Sequence, residues 1–152
     1  MTSVSHGAGN TGAANHLLEE ARQGLEKLQT MQVAYDDAMW DIENTAHAKL
    51  RHIHIHLSVT LGKLAKIIEP DDHRDHRAEE VDVRAHADEL SPIVADLLMH
   101  CAQISNLVGG NMGEFLTARY IQNAKRFAPS SAFAELDGHN SQDEFPPDRA
   151  GL

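Results

Sequence analysis

The chain has 152 residues, enough for one domain with its own core and too few for two. Hydrophobic residues make up 41% of it and aromatics only 5%, a balance that suits helices packed through Leu, Ile, Val and Ala. With 23 acidic against 13 basic residues the net charge is −10, so a phosphate backbone would repel the chain and nucleic-acid binding is excluded as a main role.

A small phosphorylated ligand survives that exclusion, because a bridging divalent cation reconciles carboxylates with phosphates. Cys101 is the single cysteine, so no internal disulfide forms and a reducing, cytoplasmic location is expected. The N-terminal stretch lacks a basic start followed by an apolar run, so no signal peptide is expected. No apolar run approaches the roughly 18 residues of a membrane span.

Residues 1–13 are small and polar with three glycines, which predicts a flexible arm before a domain over 14–129. Asn15 is placed to cap a first helix. From His16 the spacing of Leu17, Leu18, Ala21, Leu25, Leu28, Met31 and Tyr35 predicts that helix, with a break expected near Asp36–Asp37. A second, long amphipathic helix is predicted from Trp40 to Glu69. Its apolar face reads Met39, Ile42, Ala46, Leu50, Ile53, Leu57, Leu61, Leu64 and Ile68, opposite Lys49, His52, His56, Lys63 and Lys66. Asp36, Glu43, His47 and His54 form a polar stripe along one edge. Pro70 is expected to stop the helix, and a hydrophilic connection then reaches to about Asp82.

The third helix is predicted from Val83 to Gly109–Gly110, a pair suited to a left-handed cap. Pro92 sits inside it, so either Ser91 caps a later start or the helix is kinked there. Ile93, Val94, Leu97, Cys101, Ile104 and Val108 make its apolar face, which reads Cys101 as a buried thiol. Glu89, Asp96, His100 and Gln103 line one edge. Asn111, with Glu114 three residues on, opens a fourth helix that ends before Pro129. Residues 130–152 read as a polar, largely disordered tail. No strand pattern occurs, so the expected fold is all-α with four helices.

Two general catalytic signatures are missing. Gly109–Gly110 follows a helix and cradles no phosphate, and no nucleophile elbow is present. The 11 histidines, eight of them between His47 and His100, suit either metal binding or a surface whose charge changes between about pH 5 and 8. His52 and His56 are one turn apart and suit chelation, although they share their face with lysines. If the second and third helices lie antiparallel, Glu43, His47 and His54 would face Glu89, Asp96 and His100 across a cleft able to hold a metal. The alternative is that these groups satisfy one another or contact a partner chain.

Residues 89–127, ELSPIVADLLMHCAQISNLVGGNMGEFLTARYIQNAKRF, resemble the second half of the MazG-like all-α nucleoside triphosphate pyrophosphohydrolases. Asp96 takes the place of the Asp in that family's E-x-x-D-V-L helix, and Gly109 that of its glycine. Met112 to Phe115 match the start of the last helix, and Asn123, Arg126 and Phe127 its K-x-N-x-x-R-F end. LGKLAKIIE, Leu61 to Glu69, is similar to the family's L-G-E-L-A-E-A-I. About 80 residues are covered. The resemblance implies a MazG-like bundle with Mg²⁺ or Mn²⁺ as cofactor and a nucleotide ligand held by Asn123 and Arg126; a homodimer is expected because helices this long with a single-sided core leave apolar surface to cover.

The departures fall on the metal site. Where the family carries a Glu-Glu-x-x-Glu cluster, this chain has Val59, Thr60 and Lys63, and Ile93 stands in place of the Glu of E-x-x-D. Two Mg²⁺ ions bridging a triphosphate need several oxygen ligands, and Asp96 alone does not supply them. Two readings therefore stand at this stage. One is a diverged nucleotide pyrophosphohydrolase with an altered site around Asp96, Glu89 and His100, drawing metal ligands from Glu43, His47 and His54. The other is a catalytically inactive helical bundle that acts through protein contacts.

Overall fold

The computed structural model describes residues 8–39 and 46–136, and every regular element among them is helical. Helix α1 spans Ala8–Met39, α2 Ala46–His76, α3 Ala87–Leu107 and α4 Met112–Phe127, with a 3₁₀ turn at Val83–His86. Trp40, Ile42 and Glu43, residues 1–7 and residues 137–152 lie outside the described residues. The chain forms two compact units, one from residues 28–110 and one that joins residues up to 27 with those from 111 onward.

Several boundaries differ from the expected ones. Helix α1 begins at Ala8, inside the expected flexible arm, so Asn15 is helical and not a cap, and the helix runs past Asp36–Asp37 to Met39. Pro70 does not stop α2. A proline removes one hydrogen bond, here to the Lys66 carbonyl on the exposed side, and the turn beyond it is held by other contacts. Asp71 accepts from Arg74 at 3.3 Å and pairs with His86 Nε2 at 2.8 Å, while Arg74 Nη2 donates to the Glu80 carbonyl at 2.9 Å. The loop is thereby shortened to residues 77–82. Pro92 lies within α3, so Ser91 does not cap a later start.

In the unit of residues 28–110, α2 and α3 pair as an antiparallel hairpin. Its rungs are Asp71 with His86 at 2.8 Å, Thr60 with Asp96 at 3.5 Å, and His56 with His100 at 6.1 Å between ring centres. The covered line of α2 runs Ile53, Leu57, Thr60, Leu64, Ile67, Asp71, in steps of four and three, with Ile53 and Thr60 buried and the other four half-buried. That 3.5-residue repeat is the narrow seam of a helix facing a single neighbour. The broad face expected from the sequence is therefore only partly covered: Leu50, Leu61 and Ile68, on its edge, remain exposed.

Both ends of the hairpin close in the same way. At the end of α3, Gly109 adopts φ +67, its N–H donates to the Asn106 carbonyl, and Gly110 N–H donates to that of Ser105. At the end of α2, Ala78 adopts φ +55, its N–H donates to the Asp75 carbonyl and that of Glu79 to Arg74. These are Schellman caps, the second with a non-glycine in the left-handed position. Asn111 caps α4 as the sequence indicates, its Oδ1 accepting from Glu114 N–H at 3.0 Å.

The other unit packs the start of α1 against α4 and the chain beyond it. Ala14, Leu18, Ile121 and Leu136 are its buried core, with Ala132 and Phe133 against them. The expected disordered tail thus contributes a core residue as far as Leu136, because one leucine and one phenylalanine find an apolar floor that composition alone does not reveal. Gly113 lies against α1 so closely that a Cβ there would stand 2.7 to 2.8 Å from atoms of Arg22, backbone included.

Four stability outcomes follow from these backbone positions. Ala78→Gly is expected to raise the unfolding free energy, and Gly109→Ala to lower it, each by about 0.5–1 kcal/mol, since a side chain in the left-handed region is strained. Gly113→Ala is expected to cost about 1–3 kcal/mol through overpacking against Arg22, whereas Gly62→Ala, with open space around it, stabilises by up to about 1 kcal/mol. Urea unfolding of the four variants measures all of these.

Candidate functional site

The polar side chains that the fold buries belong to α1, α2 and α3 of the unit of residues 28–110. Gln29, Gln32, Thr60, His100, Gln103 and Ser105 are buried there, against only three buried apolar side chains, Ile53, Ile93 and Ala102, among the described residues of this unit. Helix α3 supplies three of the polar six, His100, Gln103 and Ser105, and its 3.6-residue period brings His100, Gln103 and the half-buried Asn106 to the sides facing α1 and α2. Gln29 Nε2 donates to Asn106 Oδ1 at 3.0 Å and to the Gly110 carbonyl at 2.9 Å, while Asn106 Nδ2 returns a bond to the Gln29 carbonyl at 3.1 Å.

Gln103 sits at the centre. Its Nε2 donates to Asp36 Oδ1 at 2.8 Å, and the same oxygen accepts from Gln32 Nε2 at 2.8 Å. An ionised carboxylate only accepts, so the amide of Gln103 must turn its nitrogen to Asp36 and its oxygen to His100. His100 Nδ1, 2.8 Å from Gln103 Oε1, is then the protonated ring nitrogen, and in the neutral ring the lone pair lies on Nε2. The rings of His52, His56 and His100 form a row, with centres 4.4 and 6.1 Å apart.

The residues singled out from the sequence divide sharply by position. Asp96 is half-buried and faces α2, accepting from Thr60 Oγ1 at 3.5 Å, the outer limit of a hydrogen bond. His100 is buried one turn away. Glu89 is exposed at the far end of α3, two turns or about 10 Å along the axis from Asp96, with its Oε2 3.7 Å from His86 Nδ1. His47 and His54 are exposed on α2. The hairpin is antiparallel as the cleft required, but the contact line of α2 passes through Ile53 and Thr60, and His54 is turned about 100° from Ile53. Thr60 and Asp71 are the polar residues of α2 within that line, and the rings of His52 and His56 stand beside it. Glu43 lies outside the described residues. Asn123 and Arg126 are exposed on α4, in the other unit, where the Arg126 guanidinium lies 4.9 Å from the centre of the Phe127 ring.

Among the described residues no three His, Cys, Asp or Glu side chains are arranged to hold a metal ion. Around Asp96 the donors are one carboxylate, one hydroxyl and an imidazole already committed through its Nδ1, a set that does not fit a pair of Mg²⁺ or Mn²⁺ ions. Cys101, expected to be buried, is exposed on α3, because α2 covers a neighbouring stripe of that helix and leaves this one uncovered.

Both units contain cavities. One of about 230 Å³, in the unit of residues 28–110, is lined by Asp36, Asp37, Lys49, Ile53 and Gln103 among others. One of about 920 Å³ lies in the other unit, between the start of α1 and α4. Glu19, Glu114 and Glu135 line it together with Arg22. Arg22 bonds Glu19 at 2.8 Å and also pairs with Glu26. The Glu19 hydrogen bond, aided by the charges of Glu19, Glu26 and Glu114 and opposed by desolvation, holds the Arg22 guanidinium above its ordinary, already high pKa. A cleft with this excess of carboxylates and its arginine engaged is a poor seat for a triphosphate.

Gln29 and Gln32 escaped the sequence reading. The usable signal was their spacing with Asp36, three and then four residues apart, the same step that marks core positions. No protein-family model, curated protein or solved structure matches this chain.

Replacing Gln103 by Leu strands the buried Nδ1–H of His100 and takes one of two donors from Asp36, an expected loss of about 1–3 kcal/mol in unfolding free energy. In ¹⁵N–¹H long-range correlation spectra of the parent, neutral His100 is expected to be protonated at Nδ1. That tautomer preference should disappear in Gln103→Leu.

Proposed function

We propose that the chain is a helical interaction module that works through exposed apolar helix faces and does not carry out catalysis on its own. The observation that carries this reading is the disproportion between core and surface. In the unit of residues 28–110 the buried centre is mostly amide, hydroxyl and imidazole, while Met31, Tyr35 and Met39 of α1, Leu61 of α2, and Val94 and Leu98 of α3 stand exposed. Single exposed apolar residues are ordinary, but repeated ones along helix flanks mark surfaces that are covered in the working state. A homodimer is one way of covering them. The groups expected to do chemistry point the other way: Glu89, His47 and His54 are spread over exposed surface, and among the described residues Asp96 faces one hydroxyl and no second carboxylate.

A MazG-like ancestry is the second reading, and one contact favours it. The resemblance aligns Thr60 with a family carboxylate and Asp96 with another, and these two side chains face each other across α2 and α3. On this reading the scaffold of a nucleotide pyrophosphohydrolase was kept while its metal ligands were replaced, and Asn123 and Arg126 are remnants of a nucleotide contact.

A pyrophosphate-release assay over NTPs and dNTPs with Mg²⁺ or Mn²⁺ separates the two. The expected result is no turnover above the protein-free blank, for the parent and for Asp96→Ala alike. Turnover that is lost in Asp96→Ala would overturn the module reading in favour of a hydrolase.

A further inference from the structure

The outward side of α3 carries a second apolar line beside the one packed on α2. Leu90, Val94, Leu97, Cys101, Ile104 and Val108 recur in steps of four, three, four, three and four, so they form one stripe along the helix. Val94, Cys101 and Val108 are exposed and the other three half-buried. From Leu90 to Gly110 the only acidic or basic side chains are Asp96 and His100, both engaged on the inward sides described above. In a chain that is 24% charged, a helix flank of this length with no charge on it has the composition of an interface core.

We infer that the occupant of this stripe is α3 of a second copy of the chain, packed antiparallel about a twofold axis at the level of Met99. The inference rests on the module reading and names its partner. The step pattern reads the same in both directions, so an antiparallel twofold pairing lays the stripe on itself: Leu90 on Val108, Val94 on Ile104 and Leu97 on Cys101 of the other copy. Every rung is apolar, as an isologous contact requires. Charge limits where two copies can meet. Two copies at −10 each repel over most of their surface, and this uncharged flank is where close approach costs least. A stripe about 27 Å long and one helix wide buries on the order of 300 Å² per copy, well below the roughly 800 Å² of a standard interface. The dimer is therefore reversible and depends on concentration.

The test is sedimentation velocity of the full chain over a wide concentration range, with Val94→Asp and Val108→Glu as variants. Both sites are exposed, and circular dichroism confirms that each variant folds. A short bismaleimide, with Cys101→Ser as its control, reports whether the Cys101 thiols of two copies lie close together. The expected result is a monomer–dimer equilibrium weakened roughly tenfold or more by either acidic substitution, with dimer cross-linking that requires Cys101. A dimer indifferent to both substitutions would overturn the proposed face and leave the module reading intact. A parent that stays monomeric throughout would overturn the second copy as occupant, while the module reading itself falls only to nucleotide turnover.

Discussion

The amide of Gln103, held between the imidazole of His100 and the carboxylate of Asp36, is the contact on which the arrangement of three helices depends. It joins α1 to α3 at a point where α3 also meets α2. Its partners are directional. Sliding α1 along α3 by one turn would leave buried donors and acceptors unmatched, at about 1–3 kcal/mol each, whereas an aliphatic seam would tolerate the shift. The Gln29–Asn106 pair repeats the device nearer the end of α3. Hydrogen bonds here choose the register, and they do so with little apolar burial to support them.

That choice has a consequence at the surface. A seam built from glutamine, histidine and threonine uses core positions that would otherwise hold leucine or isoleucine, so the apolar side chains of these helices are turned outward more than a self-sufficient domain would turn them. The uncharged flank of α3 is the longest such line. Asp96 belongs to the same account, because it faces Thr60 in the hairpin contact and is one of the polar rungs that align α2 with α3. A carboxylate in that position reads as a register element without any need for a metal.

Features that depend on a few neighbouring residues could be read from the chain directly. The Asn111 cap, the left-handed Gly109 and the all-helical character rest on backbone bonds closed within one turn, and the structure has them where the sequence indicates. Features that depend on a distant partner could not. Pro70 is carried inside α2 by Asp71, Arg74 and their contacts with His86 and Glu80, none of which periodicity reveals. The chain as far as Leu136 is held by Ala14, Leu18 and Ile121, more than a hundred residues away for the first two. In the candidate site, Asp36, Asp96, His100 and Gln103 were visible as polar residues at a core edge. Their wiring was not, and His47 and His54 stand exposed because the apolar arc of that helix is wider than the seam that covers it.

By itself, then, the sequence determined that this chain is helical, where two of its helix ends are capped, and that the α3 flank is uncharged, since each of these is a local property of residue type and spacing. Only the tertiary structure decided which stripe of each helix is buried, that the centre of the hairpin unit is polar, and that Cys101 faces outward. An amphipathic helix offers an arc of positions to its neighbours. Which part of that arc disappears from water is fixed by the partner's side chains and by the hydrogen bonds they can complete.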